Sequence, residues 1–195
     1  RRRPPRRLRA LCHGSCGIVS AMPLTPKQKG WIVLGALAVG IVLLDQGTKI
    51  WADSDLKNRP GQNITLIDGY LDLHYARNPG AAFSMFKDWS PTSRGIFFIA
   101  VSLAAVAEMI VLYRKMPERR PLYEWALGSL IGGAVGNLID RLRFNEVIDF
   151  LDMHWGRHHW PTYNVADIAI VAGIGLVLVD SFLQRPRPRE RGRKS

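Results

Sequence analysis

Nine polar residues stand in or beside stretches of this chain that are otherwise apolar: Asp45, Lys49, Asn78, Asn137, Asp140, Arg141, Asp149, Asn164 and Asp167. Asp167 is the plainest case, because it opens the last long apolar run, "YNVADIAIVAGIGLVLVDSFL". A carboxylate at a helix centre in the bilayer costs roughly 2.5–3.5 kcal/mol on insertion scales, so such a group marks a functional site by default. Asp45 and Lys49 close the first apolar run one helical turn apart, a spacing that pairs them at i,i+4. Asn137, Asp140 and Arg141 close the third run. Asn164 stands three residues before Asp167, Asp149 lies in "EVIDFLDM" among apolar neighbours, and Asn78 follows the first run in "RNPG". All of them fall toward one rim of the apolar segments. Glu108, Glu124 and Asp180 fall toward the other, where Arg and Lys are close by and ion pairing accounts for them.

Two carboxylates a few ångströms apart do not both ionise readily, so one keeps a proton near neutrality while the other is a base. Such a pair activates a water and then protonates a leaving amine, which is hydrolysis without a metal or a covalent intermediate. The sequence has no HExxH, no Gly-x-Ser-x-Gly, and no His near Ser129 in its run. His158 and His159 sit in a Trp-rich loop suited to anchoring at the headgroup layer. Cys12, His13 and Cys16 are one ligand short of a closed zinc site. No metal and no cofactor is expected. Simpler uses exist for single residues: Asp140 before Arg141 reads as a helix-end ion pair, Asn164 as an N-cap, and Asn78 before Pro79 as a turn residue.

The elements that position these groups are four apolar runs, over about residues 30–51, 95–113, 122–140 and 165–183. Each approaches the ~20 residues that cross a bilayer core of about 30 Å. The mean hydropathy of −0.02 hides them by averaging apolar blocks with basic ends. Of 27 Arg and Lys residues, 18 lie in 1–29, 114–121 and 185–194, and 9 in 49–94 and 141–163. That bias places both termini in the cytoplasm and makes the net charge of +11 a membrane-orientation signal rather than a nucleic-acid footprint. Residues 1–21 have no periodicity and no apolar h-region; they read as a disordered or spurious extension before Met22, with one four-span domain over 22–184 and a basic cytoplasmic tail over 185–195. "NITLIDGYLDLHY" predicts a hairpin about Asp68-Gly69, and "AAFSMFKDW" a short surface helix. Gly128, Gly132 and Gly136 form a small-residue ridge for close helix packing. The fold class is an all-α membrane protein of four transmembrane helices with a small extracytoplasmic β-hairpin or cradle.

Five motifs, "DQGTK" (45–49), "NPGAAFS" (78–84), "GGAVGNLIDR" (132–141), "VIDF" (147–150) and "PTYNVAD" (161–167), resemble in order and spacing those of lipoprotein signal peptidase, also called signal peptidase II. The resemblance covers about residues 27–184, with Tyr163 where Phe is commoner. It implies an aspartic endopeptidase of the bacterial inner membrane that removes the signal peptide of a prolipoprotein, cutting before a cysteine carrying a diacylglyceryl group. Asp149 and Asp167 would be the catalytic pair. Asn78, Asn137, Arg141 and Asn164 would hold substrate or orient the pair, Asp140 would be a structural neighbour, and Asp45 with Lys49 would fasten the first span. The partners implied are the diacylglyceryl prolipoprotein and membrane lipid, with no nucleic acid, and a monomer. The alternative is a small carrier using membrane carboxylates, which predicts carboxylates deep in the bilayer or spread across it.

Overall fold

The computed structural model describes residues 24–80 and 89–184. Among the described residues, four α-helices carry the fold: α1 (Pro26–Ser54), α2 (Pro91–Lys115), α3 (Pro121–Phe144) and α4 (Val165–Leu183). Three of them begin on proline, which has no N–H to leave unbonded at a helix start. Thr25 caps α1 in a capping box with Gln28, and Ser90 caps α2. Helices α1, α2 and α4 are long and apolar enough to cross a membrane by length and composition. Helix α3 is long enough but less apolar. It is the central helix, packed on α1, α2 and α4, and its buried residues include four glycines (Gly128, Gly132, Gly133, Gly136) as well as Glu124, Asn137 and Asp140.

The glycine ridge seats α3 against α1: a Cβ at Gly128 would stand 3.0 Å from the Leu34 carbonyl, and one at Gly132 2.9 Å from that of Ala38. A second glycine face meets α4, where Gly133 abuts the Ala166 carbonyl. At the end of the bundle where α3 begins, Arg119 bonds Glu124 at 3.0–3.2 Å and Arg120 pairs with Asp180, as the basic neighbours foretold. Glu108 lies on the exposed face of α2.

Beyond the opposite end of the bundle the expected hairpin is half of a larger element. Strands β1 (Asn63–Ile67), β2 (Leu71–Asn78), β3 (Val147–Trp155) and β4 (His158–His159) form an antiparallel sheet in that order. Within 141–163, the connection between the third and fourth apolar runs, residues 147–155 and 158–159 are therefore strand. Helix α3 runs on to Phe144 and ends at Asn145, whose left-handed φ of 59° turns the chain into β3. The Asn145 amide donates to the Pro91 carbonyl at 2.7 Å, fixing that corner to the start of α2. Pairing of Ala76 with Asp149 and of Asn78 with Val147 sets β3 beside β2. Ala52, Leu56, Tyr75, Ile148 and Phe150 form the core that seats the sheet on the end of α1. The expected short surface helix and the tails 1–21 and 185–195 lie outside the described residues.

Candidate active site

The polar residues expected at one rim meet where α1, α3, β3 and α4 converge. Lys49 is the charged centre, 1% exposed. Its ammonium lies 2.9 Å from each of Asp45 Oδ2, Asp140 Oδ2 and Asn137 Oδ1, so all three of its protons have an acceptor. The predicted Asp45–Lys49 turn pair is thus present, widened into a cluster. Asp45 Oδ1 accepts the Ala166 N–H at 2.9 Å, joining α1 to the first turn of α4. Asp140 is held by Lys49, by Gln46 Nε2 at 3.0 Å and by the Ile148 N–H at 3.2 Å, rather than by the adjacent Arg141. Arg141 donates to the Asn137 carbonyl at 3.4 Å and lies over the Phe98 ring.

Asn164 and Asn137 link this cluster to Asp149 and Asp167. Asn164 is the N-cap of α4, as one reading of its sequence proposed. Its Oδ1 accepts the Asp167 N–H, and its own N–H donates to Asp167 Oδ2, both at 3.1 Å. That leaves Asn164 Nδ2 free to donate to Asp149 Oδ1 at 2.7 Å and to Asn137 Oδ1 at 3.1 Å. Asn137 Nδ2 donates to Asp167 Oδ1 at 2.8 Å. Asn78 Nδ2 donates to Asp149 Oδ2 at 2.9 Å, while its Oδ1 accepts the Gly80 N–H at 2.9 Å. The turn reading of Asn78 and the site reading are therefore both true, made by opposite ends of one amide.

Asp149 is 1% exposed. Burial pushes its carboxyl up to about 6; the Asn78 bond opposes this, the charge of Asp167 adds to it, and Asn164 and Lys49 oppose it. Asp167 is half-buried and faces a groove of about 490 Å³ lined by Met153, Trp160, Tyr163, Ile168, Val171 and Ala172. Asp167 is the one charged residue of that lining, and the groove runs onto the exposed apolar face of α4, where Val171 is 70% exposed. A water held between the two carboxylates would have a base on one side and an acid on the other, at the mouth of a channel open toward α4.

The match to known proteins is decisive at this point. Residues 37–183 fit the model of the signal peptidase (SPase) II family. The chain belongs to that family of aspartic peptidases. It is 43% identical over 155 residues to a lipoprotein signal peptidase of Geobacter sulfurreducens, covering 80% of this chain and 94% of that protein. A second, from Geobacter metallireducens, is 46% identical over 150 residues, covering 77% and 90%. A bacterial membrane enzyme solved in meso at 1.9 Å superposes with a TM-score of 0.67 at 27% identity, over 77% of this chain and 92% of that one.

The nine polar residues with which the sequence reading began all lie among the described residues, and all nine take part in or border this one network. Reasoning from sequence missed Gln46, which ties Asp45, the Gly136 carbonyl and Asp140 together. Its place directly after Asp45 in "DQGTK" was the available signal. It also missed Gly133, whose signal was hidden beside the regular ridge at 128, 132 and 136.

Proposed function

We propose that Asp149 and Asp167 are the catalytic pair with which this signal peptidase II family member removes the signal peptide of prolipoproteins, cutting before the diacylglyceryl-bearing cysteine. The observation that carries the assignment is Asn164, one residue bonded to both carboxylates, at the head of the groove on α4. One carboxylate takes a proton from water as the water oxygen bonds to the scissile carbonyl carbon. The other gives its proton to the departing nitrogen as the C–N bond breaks and the carbonyl re-forms. The pair ends with one proton, as it began, so no further acid or base is consumed. Arg141 and the outer asparagines supply donors for an extended peptide; Asp45, Lys49 and Asp140 hold the frame.

The same reading makes α3 a fourth span, so that the chain crosses the inner membrane four times with both termini in the cytoplasm. The tryptophans support it. Trp31 and Trp125 lie near the starts of α1 and α3; Trp51, Trp89 and Trp160 lie at the end of α1 and just before α2 and α4. Alternating spans put the first two at the inner interface and the other three at the outer, as an aromatic belt requires. One copy of the chain carries all nine site residues, in keeping with a monomer whose partners are the prolipoprotein and lipid. The carrier alternative gains nothing from the inner carboxylates, since Glu124 and Asp180 are paired with Arg119 and Arg120.

The test is cleavage of a diacylglyceryl-modified prolipoprotein by purified protein in lipid, followed by mass spectrometry of both products. The expected products are the signal peptide with a free carboxyl end and a chain beginning at the lipidated cysteine, formed equally well with chelator present. Folded protein that leaves this substrate intact would refute the reading.

A further inference from the structure

The site contains an asymmetry that a symmetric description of an aspartate pair does not require. Resting on the assignment of Asp149 and Asp167 as the catalytic pair, we propose that Lys49 is a positioning residue which, through Asn137, keeps the pair's negative charge on Asp167 and its shared proton on Asp149.

The first observation is the sense of the amides. With its three acceptors at 2.9 Å, Lys49 fixes Asn137 Oδ1 as an acceptor, because an ammonium has no lone pair to offer an amide N–H. The Asn137 amide is then fixed the other way round, with Nδ2 aimed at Asp167 Oδ1. Asp167 therefore receives an N–H polarised by a cation one amide away. Reversing that amide would place its Nδ2 against the Lys49 ammonium and its oxygen against a carboxylate. The geometry has one arrangement, and in it Asp167 only accepts.

The second observation is the secondary structure on which each carboxylate stands. Asp167 is the N3 residue of α4, a helix of 19 residues, and its Oδ2 takes the Asn164 N–H in the capping box. Unbonded N–H groups and the helix dipole favour a negative charge there. Asp149 stands on a strand, 1% exposed, and its two bonds come from the neutral amides of Asn78 and Asn164. With one proton to share, the charge is better placed on Asp167 and the proton on Asp149. The direction of the Asp149 shift agrees.

The charged groups around the pair are Asp45 and Lys49 from α1, and Asp140 and Arg141 from α3. Asp45 and Asp140 are both bonded to Lys49, so they compete for the same ammonium that serves Asn137. The roles in the reaction follow. Asp167, at the head of the groove, is the base that takes the water proton, and Asp149 is the acid that delivers its proton to the leaving nitrogen.

Two measurements on the full-length protein in lipid test this. The first is infrared spectroscopy of the carboxylic-acid C=O stretch through a pH titration of wild type, Asp149→Asn and Asp167→Asn. A band that disappears from wild type as pH rises through about 6 is expected. It should be absent at about pH 5.5 in Asp149→Asn. In Asp167→Asn it should titrate away at lower pH, since the neighbouring charge is gone. A band at about pH 5.5 kept in Asp149→Asn and lost in Asp167→Asn overturns the assignment of the proton.

The second compares Lys49→Met/Asp140→Asn with Asp140→Asn alone, so that only the Lys49 charge differs and no additional buried carboxylate is left bare at position 140. The acidic limb of log kcat/KM is expected to move up by roughly one pH unit in the double variant. A purely structural lysine would lower activity without moving that limb, and an unmoved limb overturns the role of Lys49. If instead both single aspartate variants remain active, the catalytic pair itself is wrong, an outcome distinct from either failure above.

Discussion

The contact between α3 and α4 predicts a large effect from the smallest side chain that can be added. A Cβ at Gly133 would fall against the carbonyl oxygen of Ala166 and 2.7 Å from Ile170 Cγ1. Ordinary contact needs about 0.7 Å more than the latter distance, and the backbone oxygen has no rotamer by which to retreat. Ala166 is pinned on its other side, since its N–H is bonded to Asp45 Oδ1 and it is 0% exposed. In Gly133→Ala, α4 must therefore slide or tilt away from α3 at the turn that carries Asp167. Overpacking of this kind costs about 1–3 kcal/mol. The same shift stretches the 2.8 Å bond from Asn137 to Asp167 past hydrogen-bonding range. A displacement of this order at a reacting group lowers a rate about 10²-fold. The assay is kcat/KM on a lipid-modified prolipoprotein together with the thermal midpoint in the same lipid. Gly175→Ala is the control, because a Cβ there meets nothing within 4 Å, and it should be neutral in both measurements. Wild-type activity and midpoint in Gly133→Ala would refute the claim that this helix contact sets the geometry of the pair.

Other substitutions bear on the buried charges. Because the Asp149 carboxyl is raised in the folded protein, burying its ionised form costs stability. The cost is absent below the unfolded value near 3.8, grows as pH rises to about 6 and is constant above. Asp149→Asn should thus be inactive yet more stable than wild type at pH 7.5, by up to roughly 3 kcal/mol, the difference vanishing near pH 4 in thermal melts. Lys49→Met leaves Asp45 and Asp140 buried without their cation and should cost about 3–5 kcal/mol, partly restored by adding Asp140→Asn; unchanged melting of the single variant would contradict this. Asn164→Ala removes a helix cap as well as the bridge between the carboxylates. It should lose about 1 kcal/mol of stability with a disproportionate loss of kcat, read by comparing melting with steady-state kinetics.

Local chemistry was the legible part of this molecule. The Asp45–Lys49 spacing, the Asn164 cap, the Asn78 turn and the basic partner of Glu124 all depend on residues within a few positions of one another, and each is present; Arg120, the partner of Asp180, stands 60 positions away. What could not be read was the strand carrying Asp149. Residues 147–150 are all buried, so the run has no alternation of apolar and polar residues to mark one exposed face. Helix α3 was legible as an apolar run but falls below the other three in apolar content, since it holds the glycines and polar side chains that the others pack against. The links from Lys49 to Asn137 and Asp140 span 88 and 91 positions; nothing local announces them. Asp140 beside Arg141 shows the hazard: the adjacent charge is not its partner, and the lysine of another helix is.

The central claim is that Asp149 and Asp167 act as one acid–base unit. Its most direct test is the single-turnover rate of prolipoprotein cleavage for Asp149→Asn, Asp167→Asn and the double variant, each shown to be folded by its melting transition. Groups that act together are not additive in their loss, so each single variant should be slower by at least about 10³-fold and the double variant no slower than the worse single. Retention of a tenth or more of the wild-type rate by either single variant, or losses that multiply in the double, would contradict it.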